Sequence, residues 1–117
     1  MQQHKVIFHI DELDKWELLL KDVSILIDVY SDDDFHIDVL ATSEAVKFYN
    51  SKDISYTHMD FIEYLKKKGV NFIAGKNDLI DYKVNEDDLI HFVNIVPVAT
   101  LELINKQGDG YIYLKAW

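Results

Sequence analysis

Apolar residues in this chain follow two alternating rhythms: short runs of strand type, and longer stretches in which they recur every three or four positions. The first run, Lys5-Val6-Ile7-Phe8-His9-Ile10, holds four strong β-formers and leads directly into a helical pattern. Such a run predicts an interior strand, buried on both faces of a parallel sheet. Trp16, Leu20, Val23, Ile27 and Tyr30 then recur at helical spacing, widened by Leu19 and Leu26, so a helix is expected to lie on that sheet. Asp14-Lys15-Trp16-Glu17 offers it a capping box, and Ser31-Asp32-Asp33-Asp34 stops it.

Phe35 to Ala41 predicts a second strand, in which Phe35, Ile37, Val39 and Ala41 alternate with His36, Asp38 and Leu40. Its polar face points to an edge position. Thr42-Ser43-Glu44 reads as a helix start, Asn50 to Tyr56 as a loop, and Thr57-His58-Met59-Asp60 as the opening of a helix closed by Gly69. Val70 to Ala74 is a third, buried strand ending in the turn Gly75-Lys76-Asn77-Asp78-Leu79. Asn85 caps a short helix through Ile90, Val93 to Val96 is a fourth strand ended by Pro97, and Leu101 and Ile104 mark a helix over Val98 to Gln107 with Gly108 as its stop. Tyr111 to Lys115 completes five strands. Strand and helix alternate throughout, which implies an α/β class with right-handed crossovers, a largely parallel sheet and helices on both faces.

The length, 117 residues, predicts one domain over 1–117 with a self-sufficient core. No apolar run is long enough to cross a bilayer and the first residues lack the apolar segment of a signal peptide, so the expected location is the cytoplasm and no membrane partner is expected. A net charge of −9 opposes phosphate backbones, which excludes nucleic acid as the natural partner. The one basic cluster, Lys66-Lys67-Lys68, falls at a helix C-terminus, where the dipole favours cations. There is no cysteine, hence no disulfide, thiolate metal site or thiol nucleophile. The five histidines show no metal-ligand spacing, the acidic run at 32–34 lacks an EF-hand pattern, and neither a Walker A nor a GxGxxG loop is present, so no metal or cofactor is expected.

In open α/β sheets ligands bind beyond the carboxyl ends of the strands. That rule selects His9 and Asp11 after the first strand, Ser43 after the second, and Gly75, Lys76 and Asn77 after the third as the ligand-binding candidates. These ends are expected to converge. His9 and Asp11 read either as an acid–base pair or as a histidine satisfied by a polar neighbour, and Lys76, Asn77 and Asp78 either as groups that polarise a substrate or as turn caps. Ser43 lacks a nucleophile-elbow context, so no catalytic residue is assigned. Trp16 shares the stripe of Leu20 and Val23 and belongs to the core. Tyr111, Tyr113 and Trp117 are either packed terminal residues or a subunit contact.

Several strings, in order, resemble the DsrE/DsrF-like family of small sulfur-relay proteins. They are Val6 to Asp11 with Lys15-Trp16, Val39-Leu40-Ala41 with Ala45-Val46-Lys47, Val70 to Asn77, Val96-Pro97, Glu102-Leu103-Ile104 with Gln107, and Gly110 to Lys115. The resemblance implies a three-layer α/β/α sandwich with a five-stranded, mainly parallel sheet and subunits that assemble as trimers or hexamers. It also implies that a persulfide-bearing cysteine follows the Ala that ends the third strand. Here that position is Gly75, so sulfur relay through the chain is chemically blocked, while the missing side chain is expected to leave room for a partner's persulfide. Two functions follow as expectations: a noncatalytic oligomeric protein that binds a small ligand or protein partner at the strand-end pocket, or a cysteine-independent enzyme acting through His9, Asp11 and Lys76 on a small polar or anionic substrate.

Overall fold

The computed structural model describes residues 4–29 and 35–116; the expectations for Tyr30, for the acidic stop at 31–34 and for Trp117 lie outside them. Five strands form one sheet: β1 (His4–Ile10), β2 (Phe35–Ala41), β3 (Asn71–Gly75), β4 (Asn94–Val96) and β5 (Ile112–Lys115). Their order is β4-β3-β2-β1-β5 and every pairing is parallel, with His4 opposite Phe35, Val6 opposite Ile112, Asp38 opposite Asn71 and Ile73 opposite Asn94. The helices are α1 (Trp16–Val29), α2 (Tyr56–Lys67), α3 (Lys76–Asp81) and α4 (Ala99–Gly108). None of them is long and apolar enough to cross a membrane.

Strand alternation sorts side chains onto two faces. Val6, Phe8, Ile10, Ile37, Val39, Ala41, Phe72 and Ala74 point into a deep core with Trp16, Leu20 and Val23 of α1 and Ile62 and Leu65 of α2. Ile7, Leu40 and Ile73 point the other way, into a thin core closed by Ala99 of α4 with the partly buried Leu103 and Tyr111. Helices on both faces of one sheet make a three-layer α/β/α sandwich, as the alternation of elements predicts. Trp16 is 2% exposed, donates its indole N–H to the Ala45 carbonyl at 2.9 Å and stacks on Phe48. It is core, as its stripe implies.

Local signals for helix ends hold in part. Ser55 accepts the His58 N–H and Asn85 the Asp87 N–H, satisfying donors that a helix start leaves free, and Gly69 closes the α2 end with φ 101°. The capping box does not form. Leu13–Lys15 makes a 3-10 turn preceded by Glu12, and the α-helix proper begins only at Trp16. Ser43–Tyr49 is likewise a 3-10 segment, and Gly108 lies inside α4, the left-handed residue after it being Gly110 at φ 93°.

β2 is not an edge strand. It lies between β1 and β3, and β4 and β5 are the edges. Of its polar face His36 is exposed, but α4 covers Leu40 and Asp38, and there Asp38, 4% exposed, receives Lys106 Nζ at 2.8 Å and Asn71 Nδ2 at 3.4 Å, while Asn94 in turn donates to Asn71. A buried carboxylate is tolerated there because a cation and an amide satisfy it. The helical spacing of Leu101 and Ile104 is real, yet both face solvent, at 52% and 60% exposure, and Ala99 and Leu103 are the residues that meet the sheet.

Candidate functional site

Because β1, β2 and β3 are parallel neighbours, their carboxyl ends open on one edge of the sheet. The predicted convergence is present. His9, the penultimate residue of β1, projects to the α4 side. Its Nδ1 lies 2.7 Å from the Tyr113 hydroxyl on β5 and its Nε2 lies 2.8 Å from the Thr42 hydroxyl just after β2. In a neutral imidazole one nitrogen donates and the other accepts, and a hydroxyl can meet either need. Burial, and then the nearby Lys115 charge, lower the His9 pKa below 6.5, against the opposing pull of Asp11 and Asp78.

Asp11 does not pair with His9. Its Oδ2 lies 2.5 Å from Lys115 Nζ, and that hydrogen bond is the chief reason its carboxyl titrates below the usual range. Ser43 adopts φ 49°, a left-handed conformation uncommon outside glycine, and its N–H donates to Asp78 Oδ1 at 2.8 Å. Asp78 belongs to the first turn of α3, which starts immediately after Gly75. One carboxylate therefore ties the β2 exit to the β3 exit. It also fills the space beside Gly75: a Cβ there would sit 2.6 Å from Asp78 Oδ2 and 3.0 Å from Ala99 Cβ. The room expected at the missing cysteine position is taken, because Asp78, in the first turn of α3, folds its carboxylate back over the strand end.

Between these ends and α4 lies an open hollow of about 290 Å³, lined by His9, Thr42, Asn77 and Asp78 on the strand side and by Val98 to Thr100 and Leu103 on the other. Of the six candidates, His9 and Asn77 line it. Ser43 and Gly75 shape it through Asp78. Asp11 acts on His9 only as a charge, and Lys76 is turned away, half-exposed, with Nζ 3.8 Å from Glu86. The six ligand-binding candidates leave out Thr42, Tyr113 and the first turns of α4; Asp78, which the sequence offers as a substrate-polarising group or a turn cap, lines the hollow as well. Asp78 carried a signal, as the acidic residue three places past a strand end, whereas the pairing of Tyr113 with His9 depends on β5 lying beside β1. Among the described residues no group of three or more His, Asp or Glu side chains is placed to hold a metal ion.

No family model matches the chain, and no curated protein matches it significantly. Solved structures do. The protein of unknown function MTH1491 from Methanobacterium thermoautotrophicum superposes with a TM-score of 0.84 and is 27% identical, over 97% of this chain and 99% of that one. The YchN protein from E. coli, which has a DsrE-like fold, superposes with a TM-score of 0.79 at 16% identity, over 98% and 99% of the two chains. The likeness to YchN establishes the fold alone. Each superposition runs over nearly the full length of both chains, so the likeness is of the overall fold and not of one part of it.

Proposed function

We propose that the chain is a noncatalytic DsrE-like protein that assembles as a homo-oligomer, a trimer in the first instance, and binds a small polar ligand in the strand-end hollow. The observation that carries this reading is His9, held at both ring nitrogens beside an open hollow that presents hydroxyl, amide and carboxylate groups but no thiol. Such a set binds and orients by hydrogen bonding. The alternative, a cysteine-independent enzyme, needs His9, Asp11 and Lys76 to act together, and Lys115 and Glu86 hold the latter two elsewhere. Absence of cysteine removes the persulfide carrier role whatever the partners.

Native mass spectrometry of the freshly purified chain tests the proposal. It should show an oligomer carrying a noncovalent adduct of fixed mass that is lost in Thr42→Val and Asn77→Ala. A bare chain, together with no thermal shift across a panel of polar metabolites, defeats the ligand reading. Treatment with a sulfur donor should leave the intact mass of the denatured chain unchanged.

A further inference from the structure

On the opposite face of the sheet from the hollow, two adjoining cavities of about 310 and 290 Å³ share Leu13, Phe48 and His58 and form one groove. It runs between the turn before α1, the end of the Ser43–Tyr49 segment and the start of α2. Its floor is aromatic: Phe48 stacks on Trp16 at 4.3 Å and the His58 ring lies 5.4 Å from Phe48. Three carboxylates, Asp14, Glu17 and Asp53, stand along it. Of the basic side chains present, Lys47 is drawn toward the Tyr82 ring, 5.5 Å from its centroid, and His58 Nε2 lies 3.2 Å from Glu17 Oε1. The groove is apolar below and acidic above.

The complementary feature sits at the far end of α2. Tyr64 is 44% exposed and is followed by Lys66, Lys67 and Lys68, with Lys68 Nζ 5.7 Å from the Tyr64 ring centroid. This is the one run of cations in a chain of net charge −9. Like charge opposes most ways of bringing two copies together. An aromatic side chain with two or three lysines beside it, entering an aromatic groove edged by carboxylates, has the opposite sign.

We propose that the groove of one copy receives the Tyr64 to Lys68 end of α2 from a second copy. Groove and knob lie toward opposite ends of one helix, His58 being about 9 to 15 Å along the axis from Tyr64 to Lys68 at 1.5 Å per residue, so the contact is head-to-tail and closes into a ring when the rotation permits. The proposal rests on the oligomeric reading above and specifies its interface.

Charge reversal followed by sedimentation equilibrium tests it. One variant carries Lys67→Glu and Lys68→Glu, a second carries Glu17→Lys and Asp53→Lys, and a third combines all four. Each of the first two should weaken association at least ~100-fold, since like charges forced together at an interface cost several kcal/mol. The combined variant should restore the oligomer, and wild-type association should weaken with salt. Oligomers that survive the separate reversals, or a combined variant that stays dissociated, overturn the proposal while leaving the oligomer itself standing. A wild-type chain that is monomeric at every concentration overturns both. Tyr64→Ala, at a position 44% exposed and without a change of charge, supplies the same reading should a charge variant misfold: it should dissociate, and unchanged assembly counts against the interface.

Discussion

The two faces of the sheet are built to different standards. The face under α1 and α2 is deep, with Trp16, Phe72, Ile62 and Leu65 fully or almost fully buried and aromatic rings packed face-to-face and edge-on between them. Among the described residues, the apolar side chains buried under α4 are Ile7, Leu40, Ile73 and Ala99, flanked by a charged network at one end, Asp38 with Lys106, and the His9 hollow at the other. Stability is concentrated in the first face and polar chemistry in the second, because a thin apolar layer leaves room for groups that need water or hydrogen-bond partners.

Truncation separates the faces most strongly. Trp16→Ala should cost about 3–5 kcal/mol, whereas Leu103→Ala, from a side chain only partly buried, should cost about 1–2 kcal/mol. Urea unfolding measures both. Equal losses would break the contrast. Next in size, Asp38→Ala should cost about 2–3 kcal/mol by leaving Lys106 unpaired, a little below the range for a fully buried ion because the lysine keeps some access to water. Replacing both partners, Asp38→Leu with Lys106→Met, should recover most of that loss, and failure to recover it would show that the network also orients α4.

Gly75→Ala should cost about 1–3 kcal/mol, because its methyl group collides with the Asp78 carboxylate and the Ala99 side chain. The penalty should shrink in an Asp78→Ala background. A double-mutant cycle without coupling would mean that the carboxylate does not occupy that space.

The smallest effect is on pH dependence. The folded pKa of His9 is lowered, so between that value and 6.5 the unfolded chain binds more protons and stability rises with pH. The contribution is complete above 6.5 and is lost as pH falls through the folded value. His9→Gln should flatten this part of a plot of urea midpoint against pH, and an unchanged slope would assign it to another group.

Much of the fold was legible locally. The run from Val6 to Ile10 announced an interior strand, and the stripe through Trp16, Leu20 and Val23 announced the helix that covers it, because side-chain period follows directly from backbone geometry. The site was legible as a place more than as a set of contacts. Strand ends named His9, Ser43, Gly75 and Asn77 correctly as neighbours, but the same rule placed Lys76 in the hollow; of the two readings open for His9 and Asp11, the structure takes the histidine satisfied by polar neighbours, Tyr113 and Thr42.

What the sequence determined by itself was therefore the succession of the five strands and of helices α1, α2 and α4, the parallel architecture and the impossibility of thiol chemistry; helix α3, over Lys76–Asp81, stands where the sequence reads only a turn, and Ser43–Tyr49 is a 3-10 segment where it reads a helix start. Only the tertiary structure decided that β2 is central, that Asp38 meets Lys106, that His9 is held by Tyr113 and Thr42, and that Asp78 fills the space at Gly75. Those outcomes depend on which distant segments become neighbours and in what register. A polar residue on a strand looks the same in sequence whether it meets water or a buried lysine, and the difference is set by the helix that comes to lie over it.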